Sequence, residues 1–150
     1  MPRYTRRGAI WMLAAGLAGA GTGLLSTRSY ARGNLASNPV RLPELKIDTI
    51  HLKYSETSYI LETGKYYFWT ISSDGEEEDI AVRAPELFAN SWINQIVAND
   101  MEVHTTSIYS IEFDEAGSQQ IQFVPIRPGH YDYYTPGYEN RGLKGSVLVN

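Results

Sequence analysis

Phe123-Val124-Pro125-Ile126-Arg127-Pro128-Gly129-His130-Tyr131-Asp132-Tyr133-Tyr134-Thr135-Pro136-Gly137 is the stretch on which the fold turns. Pro125, Pro128 and Gly129 end one apolar run, and a segment with a period of two follows. In a strand, Tyr131, Tyr133 and Thr135 share one face while His130 and Asp132 share the other. Aromatic and β-branched residues on the first face suit a pleated, half-buried surface. After the Pro136-Gly137 break, Gly142-Leu143-Lys144-Gly145-Ser146-Val147-Leu148-Val149 leads into a second such segment, predicting a closing strand over 146–149.

The same signature runs upstream. Ile47 to Lys53, Thr57 to Glu62, Tyr66 to Ser72, Ile80 to Arg83, Trp92 to Ala98, Glu102 to Thr105, Ile108 to Phe113 and Gln120 to Val124 all read as short strands. Thr63-Gly64-Lys65 and Ser72-Ser73-Asp74-Gly75 are turn signals, and the strands recur at intervals of roughly ten residues, the spacing of a sandwich or barrel. Pro85 to Ala89 predicts a single helical turn with proline at its first position. No long amphipathic helix follows Ala31. The class is therefore all-β, a Greek-key sandwich or barrel of about seven to nine strands.

Ahead of this domain the composition changes. Met1 to Ala31 carries Arg3, Arg6, Arg7 and Arg28 with no acidic residue, and Ala9 to Leu25 is an apolar run of 17 residues rich in Ala, Gly and Leu. A basic start, a short apolar stretch and small residues at Ser29 and Ala31 describe a signal peptide, 1–31, cleaved after Ala31. The alternative is retention as an anchor, for which the run is short and glycine-rich. Thr5-Arg6-Arg7-Gly8-Ala9-Ile10 resembles the twin-arginine export motif, with an ordinary secretory signal as the other reading. Residues 32–44, mixed in Gly, Asn, Ser and Pro, read as a linker or N-terminal arm, and 45–150 as the domain.

Arg32 to Asn150 carries 9 Lys or Arg against 17 Asp or Glu, a formal charge of −8. Such a surface repels nucleic acid and anionic lipid, so neither is an expected partner, and no stable membrane insertion is expected once the leader is removed. With no cysteine, the exported domain has neither a disulfide nor a thiolate.

The two C-terminal stretches resemble the closing signature of the cupredoxins, in which Pro-Gly-x-Tyr and an aromatic pair precede the copper cysteine. A loop then carries the copper histidine, and Gly-Met-x-Gly enters a β-branched last strand. Thr63-Gly64-Lys65-Tyr66-Tyr67-Phe68, then Asp74-Gly75 and an acidic stretch, is similar to the first half of such domains. The resemblance implies the fold. It also implies that each type-1 copper ligand has been replaced: Glu78 stands at the first histidine, Thr135 at the cysteine, Tyr138 at the second histidine and Leu143 at the methionine. Blue copper rests on a His2Cys site, and neither a threonine hydroxyl nor a leucine substitutes for a thiolate at neutral pH.

Other constellations carry less. Asp100, Glu102 and His104, spaced by two, project together from an extended segment and could hold a divalent metal such as copper, with His130 or Glu78 as further groups. The same period describes a solvated strand face. Glu76, Glu77, Glu78 and Asp79 read as a solvated acidic loop, and the many tyrosines around Tyr131 to Tyr138 as core and rim filling. Phe88 and Trp92 are spaced to plug one end of a barrel. No Gly-x-Ser-x-Gly, phosphate loop or His-Glu-x-x-His occurs, so no catalytic residues are assigned. The expectation is a non-enzymatic periplasmic accessory protein that presents the loops at Thr135 to Gly142 and Pro85 to Ile96 to a protein partner in a redox or metal-transport system. A non-blue metal carrier is the alternative.

Overall fold

The computed structural model describes residues 38–75 and 79–150. Residues 1–37, which include the stretch read as a signal peptide, and Glu76, Glu77 and Glu78 lie outside them. The elements, in chain order, are β1 (Val40–Arg41), β2 (Leu45–Asp48), β3 (Lys53–Tyr54), β4 (Ser58–Leu61), β5 (Tyr67–Ser73) and β6 (Ile80–Val82). Helix α1 (Pro85–Ala89) is followed by β7 (Ser91–Ala98), β8 (Met101–Val103), β9 (Ile111–Phe113), β10 (Gly117–Pro125), β11 (Gly129–Tyr134), a 3-10 turn at Glu139–Arg141, and β12 (Lys144–Val149). Among the described residues no helix is long and apolar enough to cross a membrane.

One sheet has the order β3-β2-β5-β10-β7-β8, with β1 also paired to β5. The second has the order β11-β12-β4, and among the described residues β6 and β9 form a two-stranded sheet. Both main sheets mix directions: β1 and β2 run parallel to β5, and β4 runs parallel to β12, while the other pairs are antiparallel. The inner faces meet in a core whose largest fully buried side chains are Trp69, Tyr133, Phe88 and Phe123. Trp69 of the first sheet sits edge-on to Tyr59 and Tyr133 of the second, with ring centroids 5.4 and 5.7 Å apart, a geometry favoured by the aromatic quadrupole. Without disulfides, this aromatic seam couples the layers.

The alternation read from the last third is realised: Tyr131, Tyr133 and Thr135 are buried, and His130 and Asp132 face out. The helical turn at Pro85–Ala89 also forms as expected. Two local readings change. The single strand expected from Ile47 to Lys53 is broken into β2 and β3 by a turn. There the Asp48 carboxylate accepts from the His51 N–H at 2.8 Å, Asp74 accepts from Thr49 Oγ1 at 2.6 Å, and Leu52 takes a positive φ of 52°. Side-chain capping of the backbone outcompetes the ladder there. Phe88 and Trp92 also part company, since Phe88 ends inside the core at 2% exposure and Trp92 on the surface at 43%. Within the stretch read as a linker or arm, Val40–Arg41 lies against Tyr67 and Phe68 as β1.

Candidate functional site

Strand β11 delivers Thr135 to one end of the sandwich, and the chain then folds back on itself. Thr135 N–H donates to Leu143 O at 3.0 Å, Tyr138 N–H to Thr135 O at 3.1 Å, and Leu143 N–H to Tyr138 O at 3.2 Å. Three of the four predicted replacement positions therefore close into one backbone-bonded loop. The fourth, Glu78, lies outside the described residues. Thr135 is 2% exposed, Leu143 is fully buried, and Tyr138 packs half-buried against the core with the Arg141 guanidinium 5.4 Å from its ring centre. Arg83, just past β6, pairs with Tyr134 through both backbone groups, at 2.8 and 2.9 Å, tying β6 to the start of the loop.

What fills this locus comes from a residue just past the end of the strand expected over Ile47 to Lys53. Tyr54 of β3 reaches in, and its hydroxyl shares a 2.7 Å hydrogen bond with Thr135 Oγ1. The turn before β3 packs on the same loop: a Cβ on Gly142 would lie 2.7 Å from Leu52 O, and Gly142 itself takes φ +118°. Only glycine serves there, for the conformation and for the approach. Beneath, Tyr54, Tyr59 and Tyr133 stack around one another at 5.5 and 5.8 Å. Tyr133 Oη donates to Glu56 O at 2.7 Å and Tyr59 Oη to Pro43 O at 3.1 Å. Burial raises the phenols of Tyr54 and Tyr133 far above their ordinary value and pushes Tyr59 up to about 12. All three are neutral hydrogen-bonding groups under any physiological condition.

The fold family's metal is copper, and this locus does not fit it. Thr135 is committed to Tyr54, Leu143 has no donor atom, and no cysteine exists to supply a thiolate.

The residues proposed for a non-blue metal are spread along a hairpin. Asn99 and Asp100 form its two-residue turn, both with positive φ (47° and 63°), Glu102 lies on β8, and His104 follows the strand. Glu102 Oε1 accepts from Gln95 Nε2 at 3.3 Å, and His104 Nδ1–H donates to Asn94 O at 3.1 Å, since a carbonyl can only accept. In the neutral ring that bond makes Nε2 the atom with the free lone pair. His130 and Asp132 line a hollow of about 270 Å³ with Pro85, Glu86 and Tyr134, and Asp132 is paired with Lys144 at 2.9 Å.

Among the described residues, the one trio of acidic or imidazole groups with ligand atoms within 4.8 Å of one another is Asp79, Glu112 and Asp114, all exposed. The antiparallel pairing Ile80↔Phe113 puts Asp79 beside the two residues that flank Phe113. Only that register, which nothing in the local sequence specifies, makes them neighbours.

Two mixed sheets closed by a C-terminal strand–loop–strand define a cupredoxin-like domain. No protein-family model matches the chain, and no curated protein matches it. Among solved structures it is similar to the multi-copper oxidase from Pediococcus acidilactici, at 8% identity and a TM-score of 0.57, over 79% of this chain and 27% of that one. It is likewise similar to a multicopper oxidase from Campylobacter jejuni, described as a metallo-oxidase, at 10% identity and 0.52, over 75% of this chain and 30% of that one. Auracyanin from Roseiflexus castenholzii aligns over 71% of this chain and 94% of that one, at 21% identity and 0.47. This chain spans under a third of the oxidases' length, and the likeness is one of fold: a cupredoxin-like β-sandwich in which type-1 copper ligands are replaced.

Proposed function

We propose that this protein is an exported, non-enzymatic accessory module that uses the cupredoxin sandwich as a rigid display scaffold in the periplasm. The observation that carries this reading is the Tyr54–Thr135 pair. In place of a metal-binding sulfur the locus holds two buried hydroxyls that satisfy each other, an arrangement suited to stiffness and unsuited to electron transfer. A scaffold without chemistry of its own acts through its surface. Trp92, exposed beside a hollow of about 570 Å³ lined by Asn94, His104, Thr105 and Thr106, offers the large rigid contact area typical of interface hot spots. Trp92 belongs to the Pro85–Ile96 segment expected to meet a partner. The Thr135–Gly142 loop contributes less, because Thr135 is buried and the Tyr138 ring packs half-buried against the core. The partner belongs to a redox or metal-transport system, where it would carry the redox cofactor.

The test is comparative capture from periplasm by the wild-type protein and by Trp92→Ala. Retention of an oxidoreductase or transport component by the first and its loss by the second supports the reading; equal capture by both removes it.

A second reading, a metal carrier, draws on the His104 tautomer: metal-bound histidines characteristically donate their other ring N–H to a carbonyl or carboxylate, as His104 does to Asn94. Cu(II) titration with and without His104→Ala decides it, equal binding by both proteins ruling His104 out.

A further inference from the structure

We infer that the open edge of β8 is a pairing site for an extended segment of another protein in which apolar residues alternate with Lys or Arg; this rests on the display-scaffold reading and names the partner's chemistry. Among the described residues β8 pairs with β7 alone, so its outer edge is a row of unpaired backbone groups. The two-residue turn at Asn99–Asp100 makes Ala98 and Met101 the hydrogen-bonded pair that closes the hairpin. By alternation Val97 and Glu102 are a non-hydrogen-bonded pair, and the Glu102 N–H and C=O point away from β7 to the open side.

Natural edges are commonly blunted by lysine or proline. The opposite edge of this sheet, β3, carries Lys53. β8 instead presents Met101 at 63% exposure and Val103 at 46% on one face, an apolar pair that isolated edges avoid. Its other face carries Glu102 and leads toward His104 and exposed Trp92. A strand laid along β8 would place successive side chains on these two faces in turn, one row on Met101 and Val103, the other toward a carboxylate and an indole.

Charge selects the second row. From Ala84 to Ile126 the sequence has no Lys or Arg and six Asp or Glu. The hairpin turn and the β9–β10 connection share one hollow, lined by Asn99, Glu112, Asp114 and Glu115 among others, at the end of β8. Lys or Arg meets attraction from this surface and a cation–π face at Trp92, whereas an acidic segment meets repulsion. A second copy of this chain, with its own acidic β8, is disfavoured on the same ground.

The experiment uses the purified protein and a short synthetic peptide of alternating lysine and valine. Amide hydrogen exchange at Glu102 should slow at least tenfold when the peptide is present, and binding should weaken with salt. N-methylating alternate backbone amides of the peptide should abolish the slowed exchange at Glu102, and Glu102→Pro in the protein should abolish peptide binding itself. Proline at 102 removes no backbone bond to β7, only the Glu102 side-chain bond to Gln95, and the N-methyl control needs no variant at all. Unchanged exchange at Glu102, equal binding of a glutamate–valine peptide, saturation of the Trp92 hollow by a neutral oligosaccharide in the peptide's place, or self-association that protects Glu102 without peptide would each overturn the inference. Those results leave the Trp92→Ala capture test standing on its own.

Discussion

Tyr54 Oη and Thr135 Oγ1, 81 residues apart in sequence, lie 2.7 Å apart in the buried end of the sandwich. Each is the other's partner, so removing one strands the other. Tyr54→Phe or Thr135→Val singly should cost about 1–3 kcal/mol, the penalty of an unsatisfied buried hydroxyl. The double variant should cost clearly less than the two losses added together, because it strands nothing. Urea unfolding of the four proteins checks this, and strict additivity would show that the bond contributes nothing.

Gly145 of β12 is where the Tyr133 ring crosses its neighbour: an added Cβ would stand 2.2 Å from the ring carbon Cζ and 2.8 Å from Thr57 O. Gly145→Ala should therefore destabilise by about 3 kcal/mol or more, at or beyond the upper end of ordinary overpacking. Tyr133→Leu in the same background should recover part of that loss. A melting temperature unchanged by Gly145→Ala would show that the ring does not lie across β12.

Three phenols are held neutral by burial, so alkali is the protein's weak side. A phenol whose value is raised on folding contributes stability that is present below its unfolded value, near pH 10, and is lost as pH climbs toward the folded value. For Tyr59 the window is from 10 to about 12; for Tyr54 and Tyr133 it begins at the same point and extends higher. Unfolding midpoints in urea should fall steadily above pH 10, with phenolate absorbance from these tyrosines appearing together with unfolding. Tyr59→Phe should flatten the slope.

How far the sequence discloses this end of the molecule depends on which contacts are local. Thr135, Tyr138 and Leu143 sit within one strand–loop–strand, so a resemblance carried by local motifs, with alternation supporting the register of Thr135, is enough to bring them together. Tyr54 is invisible by the same means: it follows a run that alternation reads as one strand to Lys53, and the break rests on carboxylates from Asp48 and from distant Asp74. The Asp79, Glu112 and Asp114 trio depends on the β6–β9 register. Phe88 and Trp92, four apart, suit one helical face, but α1 ends at Ala89 and β7 starts at Ser91, which sends them to opposite sides.

The hairpin turn has a simple lever. Asp100 holds φ +63° without glycine's freedom. Asp100→Gly should raise stability by about 0.5–1 kcal/mol, since the turn type favours glycine at its second position. The same variant bears on Asp100 as a metal ligand, because any copper affinity that depends on its carboxylate would fall. A loss of stability on Asp100→Gly would mean that the side chain supports the turn.

Adding Cu(II) to the purified protein and recording its visible absorption tests the central claim most directly. With Thr135 bonded to Tyr54, leucine at 143 and no thiolate in the chain, the spectrum should show at most the weak bands of surface-bound copper. An intense blue absorption would contradict the account.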